Sequence, residues 1–561
     1  MRDFIRAKLF ILLSGLVILL IIVPTTVISI RVRTTPAVAS STLIQVHRTP
    51  AGPYIPSVSS KSVSADWPEF HADAARDGNQ ATDTRLSKAN ANSLVPVSGP
   101  GFTTTGAAMS SPAVYQGILY YAANMPVTSG NKTLHISTMY AVNARTGIIV
   151  WSKPFPHCAN VTKSEYVFSS PAVTTGFING VATQEVFIGW GPITSKAGCL
   201  YNFNGRTGAV IWTYETVNPI NSSPAIMSTN IGNVVVVGDN GSYVHAFSVD
   251  YNGLLRGTGV QLWQYDNRYD PPPPGYEQFC LPAPELCGDA IWSSPAEGLV
   301  LVNGAIHHYA YFGVGAEQNT VGRIDAIDLD SIVNSSPTLA WAFWDAHPQD
   351  DDDFGTISVL TDINGMAMRV FSSMRAGDMY GLDASTGSLY FDFNIPSHTG
   401  NVQAMTHSTG TLVTINGTTE LIFGSGCSPS LAHPVCGGPN YGYIWAIDAL
   451  STESSGTLLW SSQDFGGDIV SSPIVVNQGA NAVLYVLGPW LPGTSTRGDL
   501  LALDPASGAV LADYPIANHA YGTVSSPAVY GNRIFVTEGY SIYSNPAPVG
   551  GILAAFQCTG C

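Results

Sequence analysis

Apolar and polar residues alternate along this chain in short runs, each stopped by a turn and resumed toward an aromatic residue. "MYAVNARTGIIVW" (139–151) and "LYNFNGRTGAVIW" (200–212) show the pattern. A period of two predicts strands with one apolar face. The Thr-Gly step predicts a hairpin turn, with Gly supplying a positive φ. The Trp after the turn is expected to pack between neighbouring sheets. The same parts return in "YGLDASTGSLYFDF" (380–393), "IWAIDALSTESSGTLLW" (444–460) and "LLALDPASGAVLADY" (500–514). Ser-Ser-Pro stands ahead of such units at Pro112, Pro171, Pro224, Pro295, Pro473 and Pro527. Proline suits the start of an innermost strand, because a strand's first residue need not donate.

Successive Ser-Ser-Pro prolines lie 59, 53 and 71 residues apart, and the last two 54 apart. The gap from Pro295 to Pro473 holds two further units whose Ser-Ser-Pro has decayed, which makes eight. Short strands at this period predict an all-β, eight-bladed β-propeller with one four-stranded sheet per blade. The last unit ends at "GGILAAFQCTGC" (550–561) without a fourth strand, and "NSLVPVSG" (92–99) is a strand without a blade. The N-terminal strand is therefore expected to complete the last blade and close the ring.

Charged residues are 11% of the 561, against about 25% in an average soluble protein. A formal net charge of -16 and no long basic run argue against a nucleic-acid partner. Residues 9–30 carry no charge and are long enough to cross a bilayer as one helix, and Arg2, Arg6 and Lys8 before them keep the N-terminus cytoplasmic. The expected organisation is a cytoplasmic stub and transmembrane signal-anchor (1–34), a flexible tether (35–64) and the propeller (65–561). The propeller is then extracytoplasmic at the cell membrane. Cleavage at "AVAS" (37–40), near residue 39, would make it secreted instead. Eight cysteines suit an oxidising compartment. Proximity pairs Cys280 with Cys287, Cys427 with Cys436 and Cys558 with Cys561, leaving Cys158 with Cys199. No His follows Cys561, so no covalent haem is expected. Asn-x-Ser/Thr sequons stand at Asn131, Asn160, Asn221, Asn240, Asn334 and Asn416. The adjacent His307 and His308 point to opposite faces of a strand and read as structural residues. "DPPPPGYEQFCLPAPELC" (270–287) reads as a rigid loop over one face.

Four stretches carry a resemblance to a known family: "DWPEFHADAARDGN" (66–79), "AIWSSPAEGLVLVNGAIHHYAYFGVG" (290–315), "DDDFGTISVL" (351–360) and "SSMRAGDMYGLDASTG" (372–387). The chain resembles the quinoprotein propellers that bind pyrroloquinoline quinone (PQQ), nearest to polyvinyl-alcohol dehydrogenase-like proteins. The resemblance implies Asp351 and Asp353 as the acidic catalytic pair, with Asp353 also a Ca²⁺ ligand. It places Arg375 against the quinone, with Trp292 and Trp190 as stacking partners. A carboxylate beside a quinone acts as general base while the metal polarises the quinone oxygen.

The departures from the family's pattern fall on the metal. The second-blade stretch "VFIGWGPITSKAGCLYNF" (186–203) has no acidic residue where the family has glutamate. Gly315 is followed by Ala316 and Glu317 rather than Asn, so Glu317 is the replacement ligand, one step out of register. Ca²⁺ takes about six to eight oxygens. Two functions stay open: a binding or interaction module with a degraded quinone site, engaging a protein or small ligand at the propeller face, or a PQQ- and calcium-dependent alcohol dehydrogenase. The first is the reading adopted.

Overall fold

The computed structural model describes residues 66–81, 85–102, 108, 110–129, 132–156, 158, 167–191, 197–250, 261–269, 290–315, 322–345, 354–401, 404–427, 442–469, 471–489, 499–516, 525–538 and 552–561. Seven sheets have four strands, and an eighth gains a fifth strand from residues 79–80. The blades span 113–154, 172–216, 225–266, 296–344, 358–394, 411–461, 474–515 and 528–558. Blade 8 is completed by Leu94–Val97, where Leu94 pairs with Cys558 and Val97 with Ala555. The expected closure of the ring by an N-terminal strand is present.

The repeat's letters have physical causes. The backbone N–H groups of Arg206 and Thr207 both donate to Asn204 Oδ1 (3.0 Å each), and those of Ser385 and Thr386 donate to Asp383 Oδ1 in the same way. The following glycine has a positive φ, 69° at Gly208 and 70° at Gly387. It also has no room for a side chain. A Cβ on Gly208 would lie 2.7 Å from the Trp151 ring of the preceding blade, and one on Gly387 2.5 Å from Trp341. Each of these indoles donates to the facing turn, Trp151 to Gly205 O (2.7 Å) and Trp341 to Ala384 O (3.1 Å). The third strands depart from the alternating expectation. Gly198–Asn204 and Asp499–Leu503 are buried on both faces, because neighbouring blades cover each side.

The Ser-Ser pairs form a girdle around the axis. In each case the N–H of one blade's second Ser donates to the hydroxyl of the next blade's: Ser111 to Ser170, Ser170 to Ser223, and Ser223 to Ser294, all 2.9 Å. Ser294 donates to Thr356 (3.0 Å) and Thr409 to Ser472 (2.9 Å). Ser526 donates to Ser111 (2.8 Å), which joins blade 8 to blade 1. Where Ser-Ser-Pro has decayed, Thr356 and Thr409 keep the hydroxyl.

Cys158–Cys199 and Cys558–Cys561 are disulfides, as expected from proximity. Cys427 is disulfide-bonded. Cys280, Cys287 and Cys436 lie outside the described residues. Loop-closure entropy ranks the two bridges. Replacing Cys158 and Cys199 by Ser should cost about 4 kcal/mol, and replacing Cys558 and Cys561 about 2 kcal/mol. Denaturant unfolding of the two double variants checks this ranking, and a reversed order would show that native-state strain rather than chain entropy decides.

Candidate functional site

Each innermost strand runs from its Ser-Ser pair toward residues 66–80, so the axis has a Ser-Ser end and a lead-in end. A strand edge facing the axis leaves N–H groups that need acceptors. The lead-in segment supplies them blade by blade. Trp67 exchanges two hydrogen bonds with Val114 in blade 1 (2.7 and 2.8 Å). Pro68 O accepts from Val173 in blade 2 (2.9 Å). The Glu69 carboxylate accepts from Ile226 N in blade 3 (3.3 Å). Ala74 O, Ala75 O, Asp77 O and Gly78 O then accept from Glu297, Val359, Leu412 and Val475 in blades 4 to 7 (2.7–2.9 Å).

Five polar residues of this segment are buried, Glu69, His71, Arg76, Asp77 and Gln80, and the first three are the most deeply so. Arg76 donates to Phe70 O (2.6 Å), Pro224 O (2.8 Å) and Pro295 O (3.2 Å), and lies 3.3 Å from the Glu69 carboxylate. The His71 ring bonds Arg76 O (2.7 Å) and Pro473 O (2.8 Å). The carbonyls of the Ser-Ser-Pro prolines are thus read by a buried cation and a histidine. Burial pushes Glu69 up to about 7 against the pull of Arg76, and holds His71 below the ordinary histidine range. The segment thus bonds to the innermost strands of blades 1 to 7 at the lead-in end.

At the Ser-Ser end, the residue before each pair, or before its Gly-Thr or Ser-Thr equivalent, faces the mouth of the axis by the repeat's register. The described members are Phe168, Asn221, Trp292 and His407, whereas Phe354 at the equivalent position is 2% exposed and packs in the core between blades 4 and 5. Phe168 and Trp292 are half-buried and meet edge to face at 6.2 Å and 89°. Asn221 is 5% exposed, and its side-chain NH₂ has no hydrogen-bond partner. His407 is half-buried by surface area, yet burial first and the Arg375 charge second push its pKa down to about 4. A group surrounded by protein but still reached by water lines a recess.

Arg375 is half-buried in the turn 375–377 of blade 5, within electrostatic reach of His407. The bridge Phe354–Met374 begins this blade one residue from Arg375. Trp190 is 8% exposed, packs in the core between blades 1 and 2, and donates to Ser137 Oγ (3.2 Å). Glu317, Asp351 and Asp353 lie outside the described residues. Asp468, in the connection between blades 6 and 7, is 2% exposed and accepts from Cys427 N (2.8 Å). Burial raises it to about 7.

Sequence reasoning missed Glu69, His71, Arg76 and His407. Three charged or ring side chains within "EFHADAAR" were the available signal for the first three; nothing in the repeat singled out His407. His307 and His308 each bond a separate carboxylate, Asp328 and Asp330, at 2.7 Å. His307, Asp328 and Asp330 bring possible ligating atoms within 4.8 Å of one another. The sequon at Asn221 is buried, whereas Asn334 and Asn416 are exposed.

A family model described as "Outer membrane protein assembly factor BamB" matches residues 135–284 and 342–553. No curated protein shows significant similarity to the chain. Among solved structures, a europium-containing methanol dehydrogenase is similar with TM-score 0.59 and 13% identity, covering 88% of this chain and 98% of that one. The quinohemoprotein alcohol dehydrogenase from Comamonas testosteroni is similar with TM-score 0.57 and 16% identity, covering 89% and 81%. A second such enzyme, from Pseudomonas putida HK5, gives 0.55 and 15%, covering 89% and 81%. At these identities the likeness concerns the fold.

Proposed function

This chain belongs to the PQQ-like propeller family described as outer membrane protein assembly factor BamB, and we propose that it is a binding module with a degraded quinone site. It is held at the outer side of a membrane by residues 9–30. The observation that carries this reading is the make-up of the mouth. Phe168, Asn221, Trp292 and His407 include no carboxylate. They offer two edge-to-face aromatics, an unpaired buried amide donor and a neutral imidazole. That set suits an apolar or aromatic group carrying a hydrogen-bond acceptor. It does not suit Ca²⁺, which needs about six to eight oxygens. Asp351, Asp353 and Glu317, the residues expected to hold the metal, lie outside the described residues. Two described disulfides agree with an extracytoplasmic setting. Residues 9–30 are outside the described part, and no helix within it is long and apolar enough to cross a membrane.

One observation favours a PQQ- and calcium-dependent alcohol dehydrogenase instead: Arg375 stands beside His407 and Trp292 is partly open, which suits the quinone half. Calorimetry of the full-length protein with PQQ and Ca²⁺ decides between the two readings. The expected result is no saturable heat and no dye reduction with alcohols. Tight, Ca²⁺-dependent uptake with quinone absorbance would overturn the binding-module reading.

A further inference from the structure

The ring is closed between blades 8 and 1, and that seam holds a cavity of about 250 Å³ lined by Arg85, Arg145, Arg533, Tyr530, Asn532 and Gln557, together with Ala144 and Gly531. Three guanidinium-bearing residues converge here from separate elements. Arg85 comes from the chain that follows the lead-in segment, Arg145 from the Thr-Gly turn of blade 1, and Arg533 from the first hairpin of blade 8. Among the described residues, no lining residue is acidic. The chain has 23 Lys and Arg against 39 Asp and Glu, so such a gathering runs against its overall charge.

Arg533 is held in place by neutral acceptors. It donates to Ala144 O (3.1 Å) and Gln557 Oε1 (2.7 Å), which leaves N–H donors and its full charge for another partner. Arg85 lies against the Gly531 backbone, where an added Cβ would come within 2.7 Å of its Nη1. Asn532 Nδ2 donates to Cys558 O (3.0 Å), which ties the hairpin to the disulfide-bonded end of blade 8. Arg145 and Arg533 lie within electrostatic reach of one another, and an anion between them would relieve their repulsion. Burial and the nearby Arg145 both hold Arg533 below the ordinary arginine range.

We propose that the Arg85–Arg145–Arg533 pocket binds a phosphate-type oxyanion. Guanidinium groups match tetrahedral oxyanions through paired N–H donors. Lysine at these positions would supply charge without that fork. The anion has two possible sources, free phosphate or the headgroup of an anionic phospholipid. Both present the same chemistry to the pocket. Because blade 8 is built from both ends of the chain, a bound anion also cross-links the ring at its seam.

The test uses the full-length protein, with inorganic phosphate as the probe and chloride at matched ionic strength as the reference. Phosphate should bind saturably by calorimetry and raise the unfolding midpoint by about 2–3 °C at a hundredfold excess over its Kd. Arg85→Ala and Arg145→Ala should each weaken binding about tenfold or more. Both residues are exposed, so the variants should fold. Amide exchange of residues 530–533 in reconstituted vesicles separates the sources. Slower exchange with phosphatidylglycerol than with phosphatidylcholine, reversed by added phosphate, assigns the site to a headgroup. Equal exchange in both, still slowed by phosphate, assigns it to the free ion. Stabilisation that follows ionic strength alone, or that survives the double variant unchanged, would overturn the proposal.

Discussion

Replacing Arg76 with methionine should destabilise the propeller by about 3–5 kcal/mol. The side chain is fully buried and carries four backbone hydrogen bonds, the longest to Ser223 O (3.5 Å), besides its ion pair with Glu69. Methionine fills much of the volume but removes the charge and every donor. Glu69 is then left as a buried carboxylate, and the carbonyls of Phe70, Pro224 and Pro295 lose their partner. Leaving one member of a buried pair costs more than removing both. Adding Glu69→Gln to Arg76→Met should therefore recover a large part of the loss. The contrast is Arg145→Met on the exposed surface, expected within about 0.5 kcal/mol of wild type without phosphate. Denaturant unfolding followed by tryptophan fluorescence measures all four proteins. An Arg76→Met loss under about 1 kcal/mol would mean that the lead-in segment holds the ring by its backbone bonds alone.

Stability should fall as pH rises from about 4.5 to 8. Burial pushes Glu185 and Glu297 up to about 8, and Glu69, Asp392, Glu420 and Asp468 up to about 7. The close Asp378 carboxylate also raises Asp392. A carboxyl with a raised folded pKa contributes stability that is full below its unfolded value near 4.5. That contribution is lost as pH climbs through the folded value. Histidine works in the opposite direction. His71, His398 and His407 are held low by burial, so their contribution is present above about 6.5 and lost as pH falls. The six carboxyls outnumber the three histidines, and the net change is a loss on the order of a few kcal/mol toward pH 8. Glu185 illustrates the cause: one carboxylate oxygen accepts from Asn202 and the other has no partner. Unfolding midpoints at pH 5, 6, 7 and 8 should descend, and Glu185→Gln should flatten the curve. A rising or flat wild-type profile would refute this account.

The repeat, and the architecture that repetition imposes, were legible without coordinates. Alternating runs, Thr-Gly turns and Ser-Ser-Pro starts are local features, and they sufficed for the fold class, the eight blades and the closing strand. Cysteine proximity gave Cys558–Cys561 directly and Cys158–Cys199 by elimination. Of the candidate site, the sequence marked Arg375 and Trp292, which stand near the mouth, and Trp190, whose indole is committed to a blade core. The partners that meet across the ring came from the tertiary structure alone. Arg76 and Pro295 O are 219 positions apart, and no periodicity links them. The second Ser of each pair appeared in the sequence as part of a motif, but its hydroxyl's bond to the next blade exists only once the blades stand side by side. The same holds for Arg85, Arg145 and Arg533, which closure of the chain's two ends brings into one pocket. Local pattern reflects the conformational preferences of neighbouring residues. The buried charges and the pockets depend on how desolvated groups find partners from distant parts of the chain, and only the closed ring fixes those distances.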